Sequence, residues 1–405
     1  MNKPKIRFNE FENTWTKSKL GELYEIYSGN TPSRSDSRNY QNGEIPWIKT
    51  TDLNNSIICS NEEKISVYGA TKLKVLPEKS VLIAMYGGFN QIGRTGLLAY
   101  PATINQALAA LMPVNEINPN FLLNFLNFKK ESWRNVAASS RKDPNITKND
   151  VEKFKISFPS LDEQSAIGSL FSTLDDLLAS YKDNLANYQS LKATMLSKMF
   201  PKAGQTVPEI RLDGFEGEWE KGTIGEFGSF YYGKSAPKWS VTDEATTPCV
   251  RYGELYTKFS TKIDKIYSYT SIPKENLKLS SGNEVLVPRV GENPLDFANC
   301  SWLSLKGVAI GEMISVYNTP NNPLFIAYYF NAKMKKEFAK RVEGGSVANL
   351  YYTYLENISI SVPSLYEQKA IGTYFSNLDN LINSHQEKIS KLETLKKKLL
   401  QDMFI

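Results

Sequence analysis

The chain has 405 residues, 41% of them hydrophobic, and a net charge of +5 at neutral pH. That length predicts two or three domains, and the mild basic excess permits a nucleic-acid partner without demanding one. Cys59, Cys249 and Cys300 show no CxxC spacing, which argues against a zinc site or a disulfide framework and leads us to expect a reducing, cytoplasmic setting. A single histidine, His385, makes His-dependent catalysis or a His-rich metal site hard to build, and no window approaches the ~18 apolar residues of a membrane span.

Taken in order, the chain repeats itself. Residues 4–15, from Pro4 and Arg7 to Trp15, return as residues 208–219, from Pro208 and Arg211 to Trp219, 204 positions later. A solenoid unit would be roughly 20 to 50 residues, so this period implies a duplicated domain. A glycine turn follows the first predicted strand in each half, at 27–33 and 231–237. A strand is predicted over 45–53 and again over 247–255. Buried strands at 80–88 and 284–292 run into Gly-rich loops. Asn118-Pro119 and Asn322-Pro323 open short apolar helices, with Pro well placed in the first turn. A polar loop and a last strand then lead each half into a long helix.

The two long-helix stretches, 158–200 and 362–404, match without a gap from Pro159 and Pro363 to Phe200 and Phe404. In the first, Phe171, Leu174, Leu178, Tyr181, Leu185 and Tyr188 recur at alternating spacings of three and four; in the second, Phe375, Leu378, Ile382, His385, Ile389 and Leu392 do the same. This is the seam of a coiled coil, so each helix calls for a helical partner, and the nearest is the other copy, packed antiparallel. Forty residues at ~1.5 Å of rise predict a rod of roughly 60 Å that holds the globules apart. His385 occupies the seam position of Tyr181 and is expected as a packed imidazole, not a ligand. Leu177, Leu191, Leu381 and Leu395 form a second apolar stripe that could receive another protein. The expected architecture is α/β (mixed α+β). It comprises a globular domain over 1–158, a helix over 159–203, a second domain over 204–362 and a helix over 363–405.

Gly228 to Ser235 matches the phosphate-binding loop pattern G-x-x-x-x-G-K-[ST] at every fixed position. Three aromatics fill its variable positions, no helical pattern follows, and the equivalent stretch from Tyr24 to Thr31 lacks the first Gly and the Lys. A nucleotide-binding enzyme therefore stands only as an alternative. Asn322-Pro323-Leu324-Phe325 faintly resembles an amino-methyltransferase motif, but its second Pro is missing. The carboxylates show no spacing that would hold catalytic magnesium. No active site emerges.

What remains is a set of polar, basic and aromatic loop residues at equivalent places. The first half offers Thr31, Ser33, Arg34, Arg38, Lys49, Thr50, Asn90, Gln91, Arg94, Arg141, Lys142 and Asn145. The second offers Lys234, Lys238, Trp239, Arg251, Tyr252, Arg289, Asn293, Arg341, Ser346, Asn349 and Tyr351. Arg and Lys can read guanine, Asn and Gln can read adenine, and hydroxyls can hold phosphates. Scaffold residues agree between the halves while these differ, as two readers of two different sequences require.

The paired Pro-Ser-Leu-x-Glu-Gln-x-Ala-Ile-Gly motif leading into a heptad helix, with Y-x-G-x-T-P-S and I-P-W-I-K-T-T-D-L upstream, resembles the specificity subunit of type I restriction-modification systems. The resemblance covers the whole chain. It implies two target recognition domains, each binding one half of a split site in double-stranded DNA, joined by antiparallel helices that act as a ruler. It also implies two modification subunits that carry S-adenosylmethionine and methylate adenine N6. Restriction subunits would supply an ATP- and Mg-dependent translocase and nuclease. The chain itself would then hold no cofactor and no catalytic residue. A coiled-coil scaffold with no DNA role is the remaining alternative.

Overall fold

The structure, a computed structural model, describes residues 3–88, 90–137, 145–234 and 236–405. The main elements of the first half are β1 (Thr16–Lys19), β2 (Ile26–Ser28), β3 (Ile45–Ile48), β4 (Val81–Ala84), β5 (Leu108–Leu111), α1 (Pro119–Phe128), β6 (Lys155–Phe158) and α2 (Leu161–Lys198). The second half repeats that order as β7 (Glu220–Thr223), β8 (Ser229–Tyr232), β9 (Thr247–Val250), β10 (Glu284–Pro288), β11 (Ile314–Asn318), α3 (Pro323–Lys333), β12 (Ser359–Val362) and α4 (Leu365–Met403).

Each half builds the same three sheets. A five-stranded sheet runs β2, β5, β4, Thr95–Leu98, Ser56–Ile58, and its counterpart runs β8, β11, β10, Ser301–Leu303, Lys262–Ile263. β3 and β9 each centre a small three-stranded sheet, and the pairs β1/β6 and β7/β12 close antiparallel ribbons with Thr16 opposite Phe158 and Glu220 opposite Val362. The Val-Leu-Ile-Ala of β4 and Leu-Ala-Ala-Leu of β5 are buried throughout, as strands covered on both faces must be. One cover is α1, whose start is set by Asn118: its Oδ1 accepts from the N–H groups of Asn120 and Phe121 at 2.9 and 3.2 Å, with Pro119 next. Asn322 caps α3 in the same way, accepting from Phe325 N at 2.9 Å. Gly29 and Gly233 are required by close approach, since a Cβ there would lie 1.9 Å from Ile104 O and 2.1 Å from Gly311 O.

Two expectations need correction, and one letter match is resolved. The strand predicted over 45–53 stops at Ile48, because Asp52 Oδ2 accepts the Lys49 N–H at 2.7 Å and turns the chain into a 3-10 helix, Thr50–Asp52. Its equivalent stops at Val250, where Glu254 Oε2 accepts the Arg251 N–H at 3.0 Å and starts a helix, Tyr252–Thr257. The phosphate-loop pattern is the strand β8: Ser229 to Tyr232 pair with β11, Phe230 opposite Tyr317. Its backbone N–H groups serve a sheet, and the next element is only a short 3-10 helix, Lys238–Ser240, so the strand does not lead into the α-helix N-terminus that a phosphate cradle needs. Ser235 lies outside the described residues.

The chain divides into two compact units, residues 1–182 with 387–405, and residues 183–386, so each long helix contributes to both. Within the first unit α2 and α4 run antiparallel: Lys396 is ion-paired with Asp175, Lys182 Nζ lies 2.7 Å from Glu393, and Lys388 Nζ sits 5.3 Å from the Tyr181 ring centroid. Within the second, Lys192 is ion-paired with Asp379, and the Tyr188 and His385 rings meet edge-on at 5.2 Å. His385 has Nδ1 2.8 Å from Leu381 O on its own helix.

Seam residues Phe171, Leu174, Leu178, Phe375, Leu378, Ile382 and Ile389 are buried, and Tyr181, Leu185, Tyr188, His385 and Leu392 are half-buried. Helix-on-helix packing is only part of that burial, since the seam also enters the globular cores. Phe171 and Leu174 belong to the core of their own domain, with Trp15, Phe121 and Phe125. Met403 and Phe404, at the far end of the other helix, fill the same core, and Phe404 stacks 5.8 Å from Phe128 and lies 5.8 Å from Phe171. In the second unit Met199 and Phe200 do this against Trp219, Phe325 and Phe375. Burying such a phenylalanine stabilises each unit by roughly 1.5–3 kcal/mol.

Candidate nucleic-acid interface

The loops around β3 gather several of the predicted residues of the first domain. Arg34 and Lys49 converge on one carboxylate, Glu63; Arg34 is ion-paired with it and Lys49 Nζ lies at 2.5 Å. The Arg34 guanidinium also lies 4.4 Å from the Tyr40 ring centroid and 5.4 Å from that of Trp47, which holds its plane in place. Burial alone would raise the Glu63 pKa, but hydrogen bonds and charge from Lys49 and Arg34 outweigh it and hold the carboxyl below its ordinary range. Asn61 donates to Glu63 O at 2.5 Å and fixes the backbone there.

Beside this group Arg38 forks onto Asp36 at 2.9 and 2.8 Å and covers the Tyr68 ring at 4.7 Å. The arginine's hydrogen bond holds the Asp36 carboxyl below its usual value. Thr31, Ser33, Asp36 and Tyr68 line a cleft of about 320 Å³. Thr31 Oγ1 is bonded to Gln106, Ser33 Oγ lies 2.8 Å from Ser35 Oγ, and Thr50 opens the 3-10 turn after Lys49. Asn90, Gln91 and Arg94 form a separate turn in which Arg94 Nε donates to Asn90 O at 3.1 Å, and the buried Gln91 Oε1 has no hydrogen-bond partner. Asn145 is half-buried, and Arg141 and Lys142 lie outside the described residues.

In the second domain Lys238, Arg251 and Tyr252 line one cleft of about 260 Å³ with Glu312. Trp239 stands beside Lys238 with 74% of its surface exposed, which a core residue never shows. A second group forms around Arg289, whose guanidinium lies 4.4 Å from the Tyr232 ring and 5.3 Å from the Tyr351 ring, with Nε buried and unpartnered. Asn349 is held opposite Val290, the residue after this arginine, in a further small sheet of Val290–Gly291, Ala348–Asn349 and Glu343–Gly344, while Ser346 and Lys234 are exposed.

Two predicted residues serve elsewhere. Asn293 caps a short 3-10 helix, accepting from Leu295 N at 3.1 Å. Arg341 is tied to Glu337 at 2.8 Å in a different pocket, beside Lys333 and Lys336. The residues that sequence reasoning missed are the organisers: Glu63, Asp36, Tyr40, Trp47, Tyr68 and Tyr232. A carboxylate amid cationic loops carries no periodic signal, so only their convergence reveals them.

Of the second stripe, Leu177, Leu191, Leu381 and Leu395 are 42%, 37%, 40% and 44% exposed. Leu177 and Leu381 are repeat equivalents, as are Leu191 and Leu395, so both helices expose the same two positions.

Two copies of one mixed α/β domain, each presenting cationic and aromatic loops, define a duplicated recognition protein. The chain belongs to the type I restriction modification DNA specificity family, whose domain matches it twice, at residues 12–187 and 216–394. Its function is DNA sequence specificity within such a system. It is 22% identical over 401 residues to the type I restriction enzyme MjaIX specificity subunit of Methanocaldococcus jannaschii, covering 95% of this chain and 91% of that one. It is 27% identical over 188 residues to the EcoR124I/EcoR124II specificity subunit of Escherichia coli, covering 44% and 45%. Among solved structures, the S subunit of a type I restriction-modification system from M. genitalium matches with a TM-score of 0.63 at 16% identity, over 100% of this chain and 99% of that one. A chain solved in work on complex assembly and conformational transition of the type I R-M system matches at 0.51 and 17% identity, over 96% and 97%. At these identities the likeness is one of fold. Among the described residues no helix is long and apolar enough to cross a membrane.

Proposed function

We propose that each domain reads one half of a bipartite DNA site and that α2 and α4 set the gap between the halves. The observation that carries this reading is the duplication itself: scaffold residues recur 204 positions apart at the domain ends, the Asn-Pro caps and the long helices, while the cationic and aromatic loop clusters differ. Arg34, Arg38 and Lys49 serve the first half-site, and Lys238, Trp239, Arg251 and Arg289 the second. Base contacts worth ~1–3 kcal/mol each provide discrimination, and lysine contacts with phosphates provide salt-dependent affinity.

The chain acts without catalysing. Two modification subunits dock along the exposed leucines Leu177, Leu191, Leu381 and Leu395, bring S-adenosylmethionine and methylate adenine N6. Restriction subunits bring the ATP- and Mg-dependent machinery, and the complex works in the cytoplasm. Inserting whole helical turns between Tyr181 and Tyr188, with a matching insertion in α4, should widen the methylated site's gap and leave both half-sites unchanged. Sequencing of methylated adenines that returned an altered half-site with the old gap would sink the ruler. Exchanging residues 20–155 for those of a relative should change one half-site only.

A further inference from the structure

Each unit carries a pocket that the DNA-reading loops do not explain. In the first unit Lys17 and Lys19 on β1, Lys129 at the end of α1, and Lys155 on β6 line a cavity of about 530 Å³ with Phe125 and Ile156. In the second, Lys221 on β7, Lys333 at the end of α3, and Lys202, Lys336 and Arg341 line one of about 420 Å³ with Tyr329 and Ile360. Lys17 and Lys221, Phe125 and Tyr329, Lys129 and Lys333, and Ile156 and Ile360 are repeat equivalents.

One carboxylate lines each cavity among several cations, and in the second Lys202 is also paired with Glu209 at 3.7 Å. Glu22 lies 3.7 Å from Lys19, and Glu337 is taken up by Lys340 and Arg341 at 2.7 and 2.8 Å. Among the described residues Lys17, Lys129, Lys221, Lys333 and Lys336 have no carboxylate in ion-pair distance. Lys129 and Lys333 are half-buried. Lys129 Nζ sits 4.6 Å from the Phe128 ring centroid, and Lys333 donates to Ser197 O at 2.8 Å. Burial pushes both ammonium groups below the usual lysine range, and at Lys333 the Lys202 charge pushes the same way while the Glu209 carboxylate opposes it. A lysine at a helix C-terminus complements the dipole, which accounts for Lys129 and Lys333. It does not account for the strand lysines Lys17 and Lys221, which line the same cavities with an aromatic and an isoleucine.

We propose that these are twin binding pockets for an acidic peptide segment, a carboxylate flanked by an apolar residue, supplied once by each modification subunit. The inference rests on the function proposed above and deepens it. The features shared by the halves serve what the halves share, two identical partners, whereas the half-site readers differ. A lysine recessed beside aromatic and isoleucine side chains matches a peptide entering the pocket; the phosphates of a DNA duplex lie on a convex rod and are met by protruding side chains.

The test uses the full chain with its modification subunits, followed by native mass spectrometry and sedimentation. Lys129→Glu or Lys333→Glu should each leave one modification subunit bound in place of two, with affinity at the altered pocket down about thirtyfold or more. The double variant should lose both. Lys17→Gln with Lys221→Gln, at exposed strand positions, should weaken assembly in the same direction and decides the matter if the glutamate variants melt early. A double variant that assembles like the unchanged chain overturns this inference alone. So does full assembly with DNA affinity lowered equally for all sequences and a shallower salt dependence, which would make the lysines phosphate contacts. If the unchanged chain binds no modification subunit, the proposed function falls, and this inference falls with it.

Discussion

Arg7 forks onto Glu163 with Nε and Nη2 each 2.7 Å from a carboxylate oxygen, tying the N-terminal segment to the first turn of α2. Arg211 and Glu367 repeat the fork at 2.8 and 2.7 Å. Both carboxylates are almost wholly buried, and Arg7 Nη1 is buried without a partner. Such a pair is costly to break from one side, because the surviving charge keeps its desolvation penalty. Glu163→Ala should therefore destabilise by roughly 3–5 kcal/mol, while Arg7→Met with Glu163→Leu should cost much less. Urea unfolding followed by tryptophan fluorescence checks both; equal losses would contradict a desolvated pair.

Phe404 and Phe200 make each unit depend on the helix that begins in the other. Phe404→Ala should cost roughly 3–5 kcal/mol and act on the first domain, whose core it fills. Hydrogen exchange should quicken in β1, β6 and α1 and leave β7, β12 and α3 as they were. Phe200→Ala should reverse the pattern. Uniform loosening by either variant would show that these rings are not local plugs.

Glu63→Gln should loosen Arg34 and Lys49 together. Specificity at the first half-site should relax by about 1–3 kcal/mol per affected base while the second is untouched. Methylation mapping that found the first half-site unchanged would exclude Glu63 as its organiser. The Glu63 pKa is lowered on folding, so its ionised form contributes stability above the ordinary carboxylate pKa of about 4.3, lost as pH falls through its depressed value. The effect is small because the Arg34 side chain is 59% exposed. In the variant this acid-side slope should be absent from melting curves taken against pH.

The three cysteines should separate by reactivity. Cys59 is exposed. Cys249 is fully buried with its thiol pushed up to about 11 by burial, and buried Cys300 is raised for the same reason. At neutral pH a disulfide reagent should label Cys59 alone in the native protein and all three after unfolding. Rapid labelling of Cys249 would show that β9 opens readily.

Much of the architecture was legible in the chain. Asn118-Pro119 and Asn322-Pro323 announce capped helices because an Asx side chain and a proline satisfy helix starts wherever they fold. The heptads of α2 and α4 announce a helical seam because an apolar stripe must be covered. The β3 and β9 strands were drawn too long, since Asp52 and Glu254 act through single hydrogen bonds that leave no period in the sequence. Gly228 to Ser235 imitated a phosphate loop in letters, but its aromatics alternate across a sheet. The cluster around Glu63 was legible only in part: Arg34 and Lys49 are conspicuous, while Glu63, which joins them, lies fourteen residues beyond Lys49 and is fixed by three-dimensional proximity.

By itself the sequence determined the duplication, the two long helices and the residue types able to touch DNA, because periodicity, caps and composition act over short distances along the chain. Only the tertiary structure decided that Phe200 and Phe404 close the cores of the opposite repeats. It also decided that Arg34 and Lys49 share one carboxylate and that unpaired lysines line a pocket in each unit. Those relations depend on which distant side chains compete for the same volume and the same charge, and that is settled only when the chain packs.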